Sequence, residues 1–320
     1  MTRVAAIDCG TNSIRLLVAD VPAAGAHTDV LRRMEIVRLG QGVDATGRLA
    51  PEAVERTRKV LADYASTARE LGVEAVRMVA TSATRDAANR GDFEDMVRAT
   101  LGQLPDVVSG SEEAELSFLG ATASLDRAAA AHGSAPPEPP FLVVDIGGGS
   151  TEFVLGDGEV RAARSVDIGC VRLTERHLRS DPPPPAEVDA AERDIRAALD
   201  QVTADVPIGE AATLVGLAGS VTTVAALALG LPAYDADAIH GSRISRDAVR
   251  AVTADLLTAT RARRAALPVM HPGRVDVIGA GALVWDIVIR EVAERSGRGD
   301  ELTVVSSEHD ILDGLALSLV

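Results

Sequence analysis

A short pattern that occurs twice in the chain constrains its fold more than any other feature. Residues 4–18 read VAAIDCGTNSIRLLV, and residues 141–155 read FLVVDIGGGSTEFVL, so that Asp8 aligns with Asp145. Each copy places two β-rich runs around a turn of small residues, which predicts a β-hairpin. A chain of 320 residues is long enough for two domains. The repeat therefore predicts two related domains that close on one phosphate-bearing ligand.

The turns of both copies carry residues suited to phosphate binding. Glycines let backbone N–H groups approach an anion closely, and an acidic residue at the end of the first strand can hold a metal or a water. Arg15 of the first copy aligns with Glu152 of the second. A single copy is explained equally well as a structural turn, but its repetition favours a ligand site. The candidates for phosphate binding are Gly10, Thr11, Asn12, Ser13, Gly147, Gly148, Gly149 and Ser150.

Two further segments offer anion-binding groups after predicted strands. TSATRDAANR (81–90) opens a helix and carries Arg85, although hydroxyl capping of the helix with a solvated arginine also explains it. GLAGSVTT (216–223) is a glycine-rich turn into a helix, with Gly219 and Ser220 as phosphate-binding candidates. Close packing between helix and strand is the structural alternative for that turn.

A group of acids begins another predicted helix. SGSEEAELSF (109–118) contains Glu112, Glu113 and Glu115. Acids in the first turn stabilise the helix dipole, which is sufficient to explain Glu112 and Glu115. Glu113 is the candidate for chemistry, but spacing alone does not select it.

Composition limits the class of protein. The formal net charge of −15 argues against a nucleic-acid-binding surface, so any anion site must be local. No apolar run reaches the roughly 18 residues of a membrane span, and no signal sequence precedes the first strand. Two cysteines are too few for a disulfide framework. These features predict a cytoplasmic protein that binds neither nucleic acid nor membranes.

Strands that alternate with helices predict an α/β architecture. HGSAPPEPP (132–140) reads as a linker before the second hairpin, because proline clusters interrupt helices and central strands. Further predicted elements are strands at 30–39, 73–80 and 303–307, helices at 51–72, 93–104 and 186–204, a glycine-rich loop at 40–49, a strand–loop–helix unit at 275–292, and a short C-terminal helix.

Taken in order, DCGTNS, TSATR, SGSEEA and DIGGGSTE resemble the exopolyphosphatase/guanosine pentaphosphate phosphohydrolase family. The resemblance continues through IHGSRISRDAV, RVDVIGAGAL and SSEHDILDGL and so covers nearly the whole chain. It implies the short form of the family, with two ribonuclease-H-like domains of the actin-like ATPase superfamily and an interdomain cleft. The implied first domain is 1–130 plus 304–320, the linker is 131–140, and the second domain is 141–303.

The resemblance also implies roles for individual residues. Glu113 matches the catalytic glutamate, and Arg85 matches the arginine that binds terminal phosphates. Asp145 and Glu152 match acids near the metal and the attacking water, with Asp8 opposite, and the implied metal is Mg²⁺ or Mn²⁺. Glu113, Arg85 and Glu152 are thus the implied catalytic residues.

The implied activity is hydrolysis of the terminal phosphoanhydride of inorganic polyphosphate, with Glu113 as general base. Guanosine pentaphosphate is the alternative substrate, which would place the protein in the stringent response. A sugar-kinase-like enzyme and a non-catalytic polyphosphate- or nucleotide-binding regulator are further alternatives. The sequence leaves substrate preference and homodimer formation open.

Overall fold

The computed structural model describes residues 1–22 and 27–320, and these residues form two compact units. One unit comprises Met1–Ala123 together with Ile311–Val320, and the other comprises Ser124–Asp310. No helix in the described ranges is both long and apolar enough to cross a membrane.

The described part of the first unit contains a mixed five-stranded sheet in the order β3-β2-β1-β4-β5. β1, β2 and β3 are antiparallel neighbours, whereas β4 and β5 continue the sheet parallel to β1. The strands are β1 (Thr2–Cys9), β2 (Ser13–Val21), β3 (Thr28–Ile36), β4 (Ala75–Ala80) and β5 (Asp106–Val107). The helices are α1 (Val43–Thr46), α2 (Pro51–Glu70), α3 (Ser82–Asp86), α4 (Arg90–Leu101), α5 (Gly110–Thr122) and, from the C-terminus, α14 (Ile311–Leu317).

Both faces of this sheet are covered, which explains why β1 is apolar along most of its length. Alternate residues of a strand point to opposite faces. Ala5 and Ile7 lie in one core with residues of α2 and α4, while Val4 and Ala6 lie in another core with residues of α14.

The second unit repeats the arrangement, with a five-stranded sheet over its described residues in the order β10-β9-β6-β7-β8. β6, β7 and β8 are antiparallel neighbours, and β9 and β10 continue parallel to β6. Its strands are β6 (Phe141–Ile146), β7 (Thr151–Gly156), β8 (Val160–Val166), β9 (Thr213–Leu217) and β10 (Thr303–Ser306). Its helices are α6 (Leu125–Ala131), α7 (Cys170–Arg176), α8 (Pro185–Asp205), α9 (Ala218–Ala228), α10 (Ala236–Ile239), α11 (Arg246–Thr258), α12 (Arg261–Ala265) and α13 (Ile278–Arg295).

The two units therefore share strand order and strand direction, and this order is that of a ribonuclease-H-like domain. The predicted α/β class and the predicted pair of hairpins, β1–β2 and β6–β7, are confirmed. In both hairpins the aligned aspartate is the penultimate paired residue of the first strand. Each turn therefore lies at the same edge of its own sheet.

Several boundaries differ from those expected from the sequence. Residues 275–292 were expected to begin with a strand, but α13 starts at Ile278 and no strand precedes it there. β10 pairs with β9, so residues 304–310 lie in the second unit rather than the first. The expected linker 131–140 falls in the second unit as well. The loop at 40–49 contains the single turn of α1.

A buried charge cluster joins α14 to β3 in the first unit. Asp313 of α14 is fully buried and accepts hydrogen bonds from the guanidinium of Arg32. The Nε2 atom of His27 lies 3.1 Å from an oxygen of Asp313 and 3.1 Å from an oxygen of Asp29. These hydrogen bonds to Asp29 and Asp313 raise the pKa of His27 to about 9.

The elevated His27 pKa predicts that stability falls at alkaline pH. The stabilisation from protonated His27 should be complete below its unfolded pKa of about 6.5 and should be lost as pH rises through about 9. We expect a loss of at most about 3 kcal/mol in the free energy of unfolding. Urea unfolding of the wild type and of His27→Gln at a series of pH values would measure it. Equal alkaline slopes in the two proteins would contradict the assignment.

Candidate active site

The candidate residues of the first unit lie at the carboxyl ends of three neighbouring parallel strands. The turn after β1 carries Gly10 to Asn12, with Ser13 opening β2, while Arg85 follows β4 and Glu113 follows β5. The carboxyl edge is where open α/β sheets usually bind ligands. The fold thus brings residues that are distant in sequence to one edge of this sheet.

Tertiary contacts fix the first hairpin turn. The Gly10 amide donates to the Ser13 carbonyl at 2.9 Å, and the Thr11 hydroxyl lies 3.0 Å from the hydroxyl of Ser82. A Cβ atom on Gly40 would lie 2.4 Å from Thr11 Cγ2, so the chain after β3 passes very close to the turn. The Asn12 carbonyl accepts the amides of residues 37 and 38. The turn is therefore held from outside the hairpin.

Glu113 differs from the neighbouring acids in burial. It is 8% exposed, whereas Glu112 and Glu115 are exposed. Glu112 forms a capping box with Ser109, whose backbone and side-chain hydrogen bonds lower the pKa of the Glu112 carboxyl. Glu112 thus lies in the first turn of the helix, as predicted, and it also caps that helix, whereas Glu113 is the buried acid of this turn.

Arg85 contacts Glu113 directly. Its NH1 group donates to Glu113 Oε2 at 3.2 Å and to the Val108 carbonyl at 2.9 Å. Arg85 belongs to α3, a helix of five residues that follows β4. This pairing holds a carboxylate and a cation together at the carboxyl edge, where a cation can bind phosphate and a carboxylate can accept a proton from water.

The two hairpins differ in the charge that faces the aspartate. In the first, Asp8 is paired in register with Arg15, whose NH2 group lies 2.6 Å from Asp8 Oδ2. In the second, Asp145 is paired in register with Glu152. Asp8 is thus neutralised by a guanidinium, whereas the second hairpin sets two carboxylates opposite each other. Of these three acids, Asp145 and Glu152 form the better cation site.

The carboxylates of Asp145 and Glu152 suit a hard divalent cation. They are 7% and 1% exposed, and Ser165 of β8 donates to Glu152 Oε1 at 2.8 Å. Like charges directly opposite on neighbouring strands destabilise a sheet, and oxygen-ligated Mg²⁺ or Mn²⁺ would offset that repulsion. A pair of carboxylates with open positions for phosphate oxygens is a common donor set for Mg²⁺.

A second acidic group could also be considered for metal binding. His27, Asp29 and Asp313 bring three ligand atoms within 4.8 Å of one another. Arg32, however, forms ion pairs with both of these aspartates and already supplies a positive charge. The cluster is therefore electrostatically balanced by Arg32 and protonated His27.

The glycine turn of the second unit is shaped by α7. The carbonyls of Gly147 and Gly148 accept the amides of residues 170 and 171, each at 2.9 Å, and the Gly149 carbonyl accepts the Gly169 amide at 3.2 Å. In a trans peptide the N–H group points opposite to the preceding carbonyl. The amides of residues 148–150 therefore point away from α7, as an anion-binding nest requires.

Two residues outside the sequence motifs, Gly169 and Arg172, lie very close to this turn. A Cβ atom on Gly169 would lie 2.3 Å from the Gly148 carbonyl carbon. Arg172 Nε donates to the Gly149 carbonyl at 2.8 Å. Neither Gly169 nor Arg172 belongs to a glycine-rich or acidic motif, so only the fold identifies them.

Gly219 and Ser220 begin α9, directly after β9, at the carboxyl edge of the second sheet. A Cβ atom on Gly219 would lie 2.1 Å from Arg274 Cζ, so this guanidinium packs against the turn. Arg274 NH1 also donates to Thr223 Oγ1 at 3.3 Å. Ser220 contacts the thiol of Cys170, and burial raises the pKa of that thiol. Arg274 is thus a further cation beside this turn, and the sequence motifs alone do not indicate its role.

Comparisons with known proteins agree with the resemblance found from the motifs. The sequence model of the Ppx/GppA phosphatase family matches residues 17–318. Exopolyphosphatase 2 of Mycobacterium tuberculosis (strain CDC 1551 / Oshkosh) is 56% identical over 327 residues, which cover 100% of this chain and 99% of that protein.

Solved structures are similar over almost the whole length. An exopolyphosphatase-like protein has a TM-score of 0.93 and 44% identity, covering 99% of this chain and 97% of that chain. The Aquifex aeolicus member of the Ppx/GppA family has a TM-score of 0.79 and 31% identity, with coverages of 99% and 97%. Sequence and fold are thus similar to these proteins from one end of the chain to the other.

Proposed function

Because this chain belongs to the Ppx/GppA phosphatase family, we infer that it is an exopolyphosphatase, and we propose that Glu113 is its general base. The inference of activity rests on similarity to an exopolyphosphatase along the full chain. The observation that carries the role of Glu113 is its burial beside Arg85 at the carboxyl edge of the first sheet.

The proposed reaction is in-line hydrolysis of the terminal phosphoanhydride. A water oxygen forms a bond to the terminal phosphorus, the bridging P–O bond breaks, and the water proton passes to a Glu113 carboxylate oxygen. The bridging oxygen leaves on the shortened chain, and inorganic phosphate is released. Arg85 both orients Glu113 and offsets the charge that spreads over the phosphoryl oxygens.

Phosphate binding is assigned to backbone amides rather than to a broad basic surface. The net charge of −15 repels a polyanion over the protein as a whole. The amides of residues 148–150 and the turns at Gly10–Ser13 and Gly219–Ser220 supply local donors, in line with the anion-binding geometry of glycine-rich turns. We propose these turns as the phosphate-binding segments of the two units.

Asp145 and Glu152 are the residues that would hold the divalent metal. Mg²⁺ or Mn²⁺ bound there would supply positive charge to balance the phosphate oxygens. Asp8 takes a structural role in this proposal, because Arg15 already neutralises its carboxylate.

The proposed function is tested by measuring phosphate release from short polyphosphate, long polyphosphate and guanosine pentaphosphate. Each substrate is assayed with Mg²⁺, with Mn²⁺ and with EDTA. We expect release from polyphosphate that requires a divalent metal.

Three outcomes would contradict parts of this proposal. Release from guanosine pentaphosphate alone would assign the protein to nucleotide hydrolysis. Undiminished phosphate release in EDTA would show that hydrolysis does not require a divalent metal. Binding of polyphosphate without release from any substrate would favour a regulatory protein.

A further inference from the structure

Glu113 lies on a helix that depends on the far end of the chain for its position. Among the elements of the described residues, α14 is the one that packs most extensively against α5. α14 in turn packs on β1 and β2, where Ile311 and Leu315 join the core formed by Val4, Ala6 and Leu17. α14 therefore packs against both α5 and the sheet.

The contact between the two helices passes through Gly314. A Cβ atom at this position would lie 1.9 Å from the Leu116 carbonyl oxygen, 2.8 Å from its carbon and 3.1 Å from the Gly120 amide nitrogen. Glycine is needed here because the backbones approach so closely. Leu116 is three residues after Glu113 on α5, so any displacement at this contact acts on the turn that carries the carboxylate.

Asp313, the neighbour of Gly314, fixes another face of α14. Its carboxylate is fully buried and is bonded by Arg32 and His27, both before or within β3. Removing one partner of such a buried charge group is strongly destabilising, so the cluster holds α14 in one position. α14 is thus fixed to the sheet edge through Asp313 and fitted against α5 through Gly314.

The position of α5 affects the proposed active site through the contact between Glu113 and Arg85. Arg85 is carried by α3, next to β4, whereas Glu113 is carried by α5. The 3.2 Å contact between them therefore depends on how far α5 stands from the sheet. That distance is set by α14.

We propose that Asp313 and Gly314 are positioning residues that set the place of Glu113 through α5. The proposal rests on the general-base role of Glu113 given above. It assigns to two residues near the C-terminus, on a different helix from Glu113, a specific effect on turnover rather than on substrate binding.

The test is a double-mutant cycle between Gly314→Ala and Glu113→Gln, with kcat and KM for polyphosphate measured in the full-length protein. We expect Gly314→Ala to lower kcat by about 10- to 100-fold, because small displacements of a catalytic group have effects of that size. KM should change by less than about threefold, since the phosphate-binding turns are untouched. In the Glu113→Gln background the same substitution should lower kcat no further, because both changes act through one carboxylate.

Gly91→Ala is the matched control. Gly91 also lies in a helix of the first unit, α4, but an added Cβ atom there meets nothing within 4 Å. This variant should keep wild-type kcat. If Gly314→Ala does not fold, Asp313→Asn decides the question, because it keeps the side-chain shape, adds no atom at the contact with α5, and leaves Arg32 its ion pair with Asp29.

The outcomes separate this proposal from the proposed function. Wild-type kcat in Gly314→Ala, or in Asp313→Asn where that variant decides, would overturn the positioning role. So would a loss of kcat that is fully additive with Glu113→Gln. If Glu113→Gln retained wild-type turnover, Glu113 would not be the general base. The positioning proposal would then lose its premise.

Discussion

Glu113→Gln is expected to lower kcat for polyphosphate hydrolysis by about 10²- to 10⁴-fold, the usual contribution of a general base. Glutamine has nearly the same shape, and its amide oxygen can still accept the hydrogen bond from Arg85 NH1 that Glu113 Oε2 accepts at 3.2 Å. It cannot accept a proton from water at neutral pH. The free energy of unfolding and the dissociation constant for polyphosphate should therefore stay close to the wild-type values.

Glu115→Gln is the control for this variant. Glu115 lies on the same helix two residues later but is exposed to solvent. Steady-state phosphate release should be unchanged in Glu115→Gln and nearly abolished in Glu113→Gln. Turnover of Glu113→Gln within about threefold of wild type would show that another group accepts the proton.

The two hairpins were predictable because their signal is local and repeated. Each has two short apolar runs, a turn of small residues and an acid at a fixed offset, and hairpin pairing follows from such a pattern. The same alignment placed Arg15 of the first copy on Glu152 of the second, and the strand registers set these two residues opposite Asp8 and Asp145. The difference in charge between the two turns could thus be read from the sequence, but its consequence needed the 2.6 Å ion pair of Asp8.

The choice among the three acids of α5 could not be made from the sequence. Spacing shows that Glu112, Glu113 and Glu115 share one helix, but burial of Glu113 depends on packing between α5 and distant elements. The strand expected within 275–292 was wrong for a related reason. α13 is buried around nearly its whole circumference, so it lacks the polar face by which a helix is recognised. The β-branched residues Val275 and Val277 just before it, together with Ile278, resemble a strand.

Residues that act through close approach were also missed. Gly169 and Gly314 lie outside the glycine-rich turns of the sequence. A glycine is needed at each position because another backbone segment lies where its Cβ atom would be. Arg274 is separated by 55 residues from Gly219, the glycine it packs against. Such contacts are set by the tertiary fold and leave no periodic or compositional signal.

Gly169→Ala is expected to have the second-largest effect on activity, because the added Cβ atom would displace the backbone of the proposed phosphate-binding turn at Gly148 and Gly149. The backbone at Gly169 has φ −74° and ψ 158°, which alanine adopts without strain. The added Cβ atom, however, would lie 2.3 Å from the Gly148 carbonyl and 2.4 Å from the Gly149 amide nitrogen. The turn must move, and we expect kcat/KM for polyphosphate to fall by about 10²-fold, with a cost of about 1–3 kcal/mol in stability for overpacking.

The corresponding control in the second unit is Gly279→Ala, since a Cβ atom on Gly279 meets only Leu257 Cδ2 at 3.4 Å. Thermal unfolding and initial rates are measured for both variants beside the wild type. The loss in Gly169→Ala should persist at temperatures well below its unfolding midpoint, because it arises from misdirected amides at residues 148–150 rather than from unfolded protein. Wild-type kcat/KM in a folded Gly169→Ala would mean that these amides do not bind the substrate, and phosphate recognition would then fall to the arginine side chains, Arg85 in the first unit and Arg274 in the second.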